Sequence, residues 1–186
     1  MILFIIAGFL IAKIKKYRIK PVLKLPYLYP LFMIELIYIF FQINVIFDNF
    51  YFLKFSSTIQ IAFMASMLLP IVRYSINLPA IIGSVAVVIG TLMNRLVIMA
   101  NNDLMPIYPS LSKLTGYFKD SDLEKANDGV HILGNAATKL SFLADYIDIG
   151  WTIYSPGDVL IHSFVTIIIY YTIKEVNLRV ERELNQ

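Results

Sequence analysis

Apolar residues run along this chain in long, nearly unbroken blocks instead of alternating with polar ones. A helix needs roughly 20 apolar residues to cross the hydrocarbon core of a bilayer. Blocks over residues 26–47, 56–72, 78–100 and 158–173 meet or approach that length. A fifth block near the start is shorter. Extending it over 2–19, with Lys13, Lys15 and Lys16 snorkelling to the headgroups, predicts a further span. A cleaved leader is the competing reading of this block. Its cations follow the apolar core instead of preceding it, and no small-x-small site follows, so a retained helix is expected. Over 130–149 the pattern changes. Ile132, Leu133, Ala136, Ala137, Leu140, Leu143, Ala144 and Ile147 fall close to i, i+3, i+4, i+7 spacing. That spacing predicts an amphipathic helix on, or re-entering, the membrane surface. The expected fold is all-α and polytopic: five transmembrane helices plus an amphipathic outer-surface helix, in one membrane domain over 1–186.

Composition agrees with the pattern. Of 186 residues, 58% are hydrophobic and 16% charged, where a soluble domain has about half and a quarter. A disordered chain is excluded, and a soluble globular enzyme fits poorly. The lack of cysteine excludes a disulfide-stapled secreted domain, a thiolate metal site and cysteine catalysis. A net charge of +3 is too small to point to nucleic acid, so its placement carries the information.

That placement is uneven. Residues 13–24 hold Lys13, Lys15, Lys16, Arg18, Lys20 and Lys24 and no acid. The positive-inside rule puts this segment in the cytoplasm. The loop over 101–155 then falls outside, where seven acids face four lysines, and the tail from Lys174 returns inside. The expected location is the cytoplasmic (inner) membrane of a bacterium, amino end out and carboxyl end in.

Polar residues within spans are costly, so each is a candidate for chemistry. Glu35 lies near the middle of the second span. It reads as a carboxylate facing a cavity, as a structural partner of Arg95, or as a protonated acid. Asn94 and Arg95 lie about two turns from the outer end of the fourth span. Arg95 could hold a carboxylate or an anionic headgroup through its planar fork, or could snorkel. Gly83 and Gly90, with Ser84, Ala86 and Thr91, suit close helix packing. Asn101 opens a polar helix stop that ends in Pro106.

Ser155-Pro156-Gly157-Asp158 reads as a helix start, with a serine cap, proline at the first position and an acid at the third. The same placement brings Asp158 to the outer surface, beside whatever the preceding loop delivers. That loop carries Asp145 and Asp148, three apart and so on one face if helical. Two carboxylates in a partly desolvated site do not both ionise easily. One stays protonated, and the pair can act as general acid and general base on a water. Capping and ion pairing are the structural alternatives. His131 and His162 are the only histidines, and no zinc-ligand spacing, phosphate-binding loop or dinucleotide fingerprint is present.

The chain resembles a bacterial family of integral-membrane proteins known only as a domain of unknown function. The likeness rests on KIKKYRIK after a short first helix, LPAIIGSVAVVIGTLMNRLVIMANN, DLMPI, TKLSFLADYI and YSPGDVLI. Asn101 matches an asparagine of that family's asparagine-glycine-glycine turn, and Asn102 and Asp103 stand where the glycines would. The resemblance puts family aspartates on Asp145 and Asp158. It implies a topology and no activity.

A fainter likeness is to lipoprotein signal peptidase, a four-span enzyme with two catalytic aspartates at the outer surface. Gly134-Asn135, Lys139, Ala144-Asp145-Tyr146 and Pro156-Gly157-Asp158 follow its pattern in order. The pattern's first aspartate and the asparagine beside its last one are missing here, and the dyad spacing is shorter. This likeness implies Asp145 and Asp158 as a catalytic pair.

Two readings of function follow. One is an aspartate-dyad membrane hydrolase, peptidase-like, opening to the outer leaflet. Asp145 and Asp158 would be catalytic, with Asn94, Arg95, Asn101 and Asp148 binding substrate. The other is a non-enzymatic membrane module: a transport subunit, lipid binder or accessory partner, with Glu35, Asn94 and Arg95 as its polar centre. The expected partners are membrane lipid and a lipid-linked or peptide substrate, not nucleic acid. No cofactor and no metal are expected.

Overall fold

In a bilayer, long and largely apolar runs satisfy their own backbone only as helices, and helices dominate the computed structural model. It describes residues 1–119, 121–122 and 129–184. The helices are α1 (Ile2–Ile14), α2 (Tyr29–Ile46), α3 (Ser56–Ser66), α4 (Leu68–Tyr74), α5 (Asn77–Ala100), the short α6 (Leu111–Leu114) and α7 (Pro156–Leu184). Among the described residues, four helical stretches are long and apolar enough to cross a membrane: Pro26–Ile46, Tyr51–Tyr74, Asn77–Ala100 and Pro156–Leu184. The acid-rich stretch of the long loop lies outside the described residues except for Ser121 and Asp122.

The expected fifth span is cut short. α1 has 13 residues, about 20 Å at 1.5 Å per residue, against a core of about 30 Å. Its end is built into the basic segment. Lys16 takes a left-handed conformation (φ 64°), and the Tyr17 N–H bonds back to the Ala12 carbonyl at 3.0 Å. This closes the helix end within the basic segment, after Lys13, Lys15 and Lys16. The third span is broken as well. Pro70 has no N–H to give the Ser66 carbonyl, and α3 yields to α4 at Met67.

The larger departure is at 130–149, where no amphipathic helix forms. The segment is strand β2 (His131–Leu133), a pair of turns, one 3-10 turn (Ser141–Leu143) and strand β3 (Ile147–Asp148). Two local causes outweigh the helical spacing. Asn135 folds the chain into a tight turn, its Oδ1 accepting the Ala137 N–H at 2.8 Å and its N–H reaching Thr138 Oγ1 at 2.9 Å. Leu140 then sits in the left-handed region (φ 52°), which a continuous helix cannot contain. Strand β1 (Met105–Ile107) supplies the backbone bonds that helix would have made, pairing parallel with β2. Strand β4 (Ile153–Tyr154) pairs antiparallel with β3.

The described residues fall into two compact units. In the first (1–37, 58–87 and 162–186), α1 packs on α7 with little space between them. A Cβ on Gly8 would meet Ile169 at 2.9 Å, and Thr166 Oγ1 donates to the Phe4 carbonyl at 2.9 Å. Met1, the cap residue just before α1, meets Glu35, with Met1 N and Glu35 Oε1 3.7 Å apart and both buried. Glu35 is thus occupied at the start of α1, not by Arg95. Gly83 lets the Phe164 ring lie against its helix, as the small-residue reading anticipated. The second unit (38–57 and 88–161) holds both sheets and the candidate site.

Candidate functional site

The site begins with a helix start. Ser155 caps α7: its Oγ accepts the Asp158 N–H at 2.9 Å, and Asp158 Oδ2 accepts the Ser155 N–H at 3.0 Å. This reciprocal pair satisfies two donors that the first turn would leave open, and it fixes the Asp158 rotamer. Asn94, on α5, joins the same network. Its Nδ2 donates to Asp158 Oδ1 at 2.8 Å, and its Oδ1 accepts the Ser155 hydroxyl at 2.8 Å. The two helices touch here through glycine. A Cβ on Gly157 would collide with Asn94 Oδ1 and the Gly90 carbonyl, and one on Gly90 with the Gly157 carbonyl. Without side chains at 90 and 157, Asn94 can span the gap.

Asp145 arrives by strand pairing. Its N–H donates to the Pro106 carbonyl at 3.0 Å, and its carbonyl accepts the Tyr108 N–H at 2.7 Å. β1 therefore carries β2 on one side and the Asp145 backbone on the other. Successive side chains of an extended chain face opposite ways. This sends Met105 and Asp145 to one side of the small sheet, into a cavity of about 140 Å³ lined by Asn94, Ile98, Met105, Val130, His131, Asp145 and Asp158. That volume holds a few waters.

Asp145 is 5% exposed. Its Oδ2 lies 3.6 Å from His131 Nε2, and its Oδ1 has no hydrogen-bond partner among the described residues. Burial pushes its carboxyl up, and the Asp158 charge adds to the push, to about 8. At neutral pH Asp145 holds its proton. The two carboxylates singled out in the sequence thus line one cavity and act on each other electrostatically.

The other expected site residues divide. Asn94 lines the cavity. Asp148 does not: it ties the loop together. Its Oδ2 accepts the N–H groups of Ser110 (2.7 Å) and Ser112 (2.9 Å) and the Ser112 hydroxyl (2.7 Å), and its Oδ1 accepts the Gly150 N–H at 2.9 Å. Burial alone would raise its pKa, but these donors outweigh it and hold the carboxyl below its ordinary value. Asn101 is also outside the cavity. Its Nδ2 donates to the Val97 and Lys139 carbonyls, both at 2.9 Å, and its Oδ1 accepts the Lys139 N–H at 3.0 Å. It closes the end of α5 and pins residue 139. Arg95 is exposed and makes no ion pair or hydrogen bond with the described residues.

His131 is a cavity residue that the sequence pattern does not single out. Its one visible signal was scarcity, as one of two histidines. Among the described residues, no three His, Asp or Glu side chains are grouped closely enough for a metal ion.

Residues 20–170 match a family of unknown function (DUF5317), which covers most of the chain. No curated protein and no solved structure matches it. The chain belongs to this family of unknown function.

Proposed function

We propose that this member of a family of unknown function is a membrane hydrolase that uses Asp145 and Asp158 as a proton-sharing dyad. The observation behind the reading is the shared cavity: the buried Asp145 carboxyl and the hydrogen-bonded Asp158 carboxyl line the same small space. In such a pair Asp158 takes a proton from the attacking water. Asp145 gives its proton to the carbonyl oxygen of the scissile amide or ester, and the pair reverses as the tetrahedral intermediate breaks down. Asn94 holds Asp158 by hydrogen bonding to Oδ1. Arg95, one residue on and exposed, would meet an anionic group of a lipid-linked or peptide substrate. Asp148 and Asn101 would shape the loop around the site.

The membrane reading rests on the four apolar helices, and the orientation on charge. With the basic segment cytoplasmic, the 101–155 loop and the dyad face outward across the inner membrane of a bacterium, and the tail from Lys174 lies inside.

The test is purified protein in lipid vesicles, incubated with lipid-anchored peptides and ester-linked lipids, with products read by mass spectrometry. Asp145→Asn and Asp158→Asn should each abolish cleavage while both variants stay folded and inserted. Product formation at the wild-type rate in both variants removes the dyad. One observation favours the second reading, a non-enzymatic membrane module: both Asp158 oxygens are already bonded, to Asn94 and to the Ser155 backbone. On that reading the Asn variants lose stability, and no substrate in the panel turns over in wild type.

A further inference from the structure

Lys13, Lys15, Lys16, Arg18, Lys20 and Lys24 are all exposed, and none makes an ion pair with a described acid. Unpaired surface cations are common, but five lysines and one arginine within twelve residues, with no acid among them, are not balanced locally. The nearest negative end of a dipole is the carbonyl end of α1, equivalent to about half a charge. It leaves most of the cluster's field uncompensated.

The cluster is also held in shape. Asn177 on α7 clamps the Arg18 backbone from both sides: its Oδ1 accepts the Arg18 N–H at 2.8 Å, and its Nδ2 donates to the Arg18 carbonyl at 3.0 Å. Asn177 is buried, and its Nδ2 is tied as well to the Ile173 carbonyl at 2.8 Å. The left-handed turn at Lys16 fixes the other approach, and Tyr17 packs on Tyr170 with ring centroids 6.2 Å apart. Exposed apolar side chains, Ile14 and Leu23, flank the cations. Fixed cations with greasy neighbours, at the end of a helix that stops short of a full span, match the boundary between acyl chains and phosphates.

We propose that residues 13–24 form a binding platform for the phosphate headgroups of anionic phospholipids. The ammonium groups would meet the phosphates while Ile14 and Leu23 enter the acyl region. The platform does not depend on the dyad or on any reaction there.

The test uses full-length protein in detergent, with lipid retention counted by native mass spectrometry and thermal unfolding followed in parallel. Phosphatidylglycerol and phosphatidylcholine of matched chains are titrated separately. Wild type should retain phosphatidylglycerol in preference to phosphatidylcholine, with retention falling as salt rises. The triple variant Lys15→Gln, Lys16→Gln, Lys20→Gln changes only exposed side chains. It should need about 100-fold more phosphatidylglycerol, at roughly fivefold per cation. A charge-matched control, Lys54→Gln, Lys113→Gln, Lys139→Gln, should retain the lipid as wild type does. Equal weakening in both triple variants would mean net charge alone is read, and would overturn the proposal. So would an equal effect of inorganic phosphate or glycerol 3-phosphate, which identifies a soluble anion as the ligand. Retention of single-stranded RNA in place of phosphatidylglycerol would overturn it as well.

Discussion

Asn94 binds Asp158 and its cap together: one amide donates to the carboxylate and accepts from the Ser155 hydroxyl, each at 2.8 Å. No hydrophobic residue of similar size can replace both bonds. Asn94→Leu should lower stability by about 1–3 kcal/mol, the cost of leaving a buried polar group unpaired. Asn94→Asp places a second carboxylate against the first. Its thermal midpoint in detergent should fall at neutral pH and recover as the pH is lowered.

Gly157 is where helix contact and site geometry meet. Gly157→Ala puts a methyl group onto Asn94 Oδ1 and the Gly90 carbonyl, where backbone would have to move. A loss of about 1–3 kcal/mol is expected from overpacking. Gly116→Ala is the contrast, since a Cβ there meets nothing. Its cost, about 1 kcal/mol, comes only from the left-handed backbone (φ 75°). Thermal unfolding of both variants checks the ranking, with the larger loss in Gly157→Ala.

Asp148 collects four donors on one carboxylate. Asp148→Ala should cost on the order of 2 kcal/mol, at the low end for charged hydrogen bonds, because the part-exposed loop lets water replace some of them. Its carboxyl is held below the ordinary range, so its contribution is present above the unfolded value. It is lost as pH falls through the folded value. Faster proteolysis of the 101–119 region in the variant would report the loosened loop.

Asp145 has the opposite linkage. Its folded carboxyl binds a proton up to about pH 8, while an unfolded one releases it near 3.8. Between those values the native state holds the extra proton, so stability is greatest below about pH 4 for this group. It declines as pH rises toward 8, by on the order of 5 kcal/mol in all. Asp145→Asn cannot titrate. Its unfolding free energy should be flatter across that window, with a denaturant series at several pH values as the check.

The spans were legible because long apolar blocks admit few structures in a bilayer, and the helix start at Ser155 was legible because capping is local. The Gly90 contact could be anticipated from small residues at helical spacing. The site was legible only as two aspartates. What joins them is non-local: the Asp145 backbone pairs with Pro106 and Tyr108 through a single bridge that leaves no pattern in the sequence, and Asn94 meets Asp158 across 64 positions. The helix expected over 130–149 failed for a related reason. Apolar spacing does not set the backbone there; the turn at Asn135 and the strand pairing with β1 do. α1 ends at Ile14, short of the expected span over 2–19, because Lys16 turns left-handed, a conformation that the basic sequence does not announce.

The most direct measurement is the infrared carboxyl band of the protonated acid, followed over pH in wild type, Asp145→Asn and Asp158→Asn. If Asp145 and Asp158 share one desolvated site, wild type carries a band at neutral pH that disappears in Asp145→Asn. Its titration midpoint, about 8, should move down in Asp158→Asn, where the neighbouring charge is gone. A band unchanged by Asp145→Asn, or a midpoint indifferent to Asp158→Asn, would mean the two carboxylates do not form a dyad.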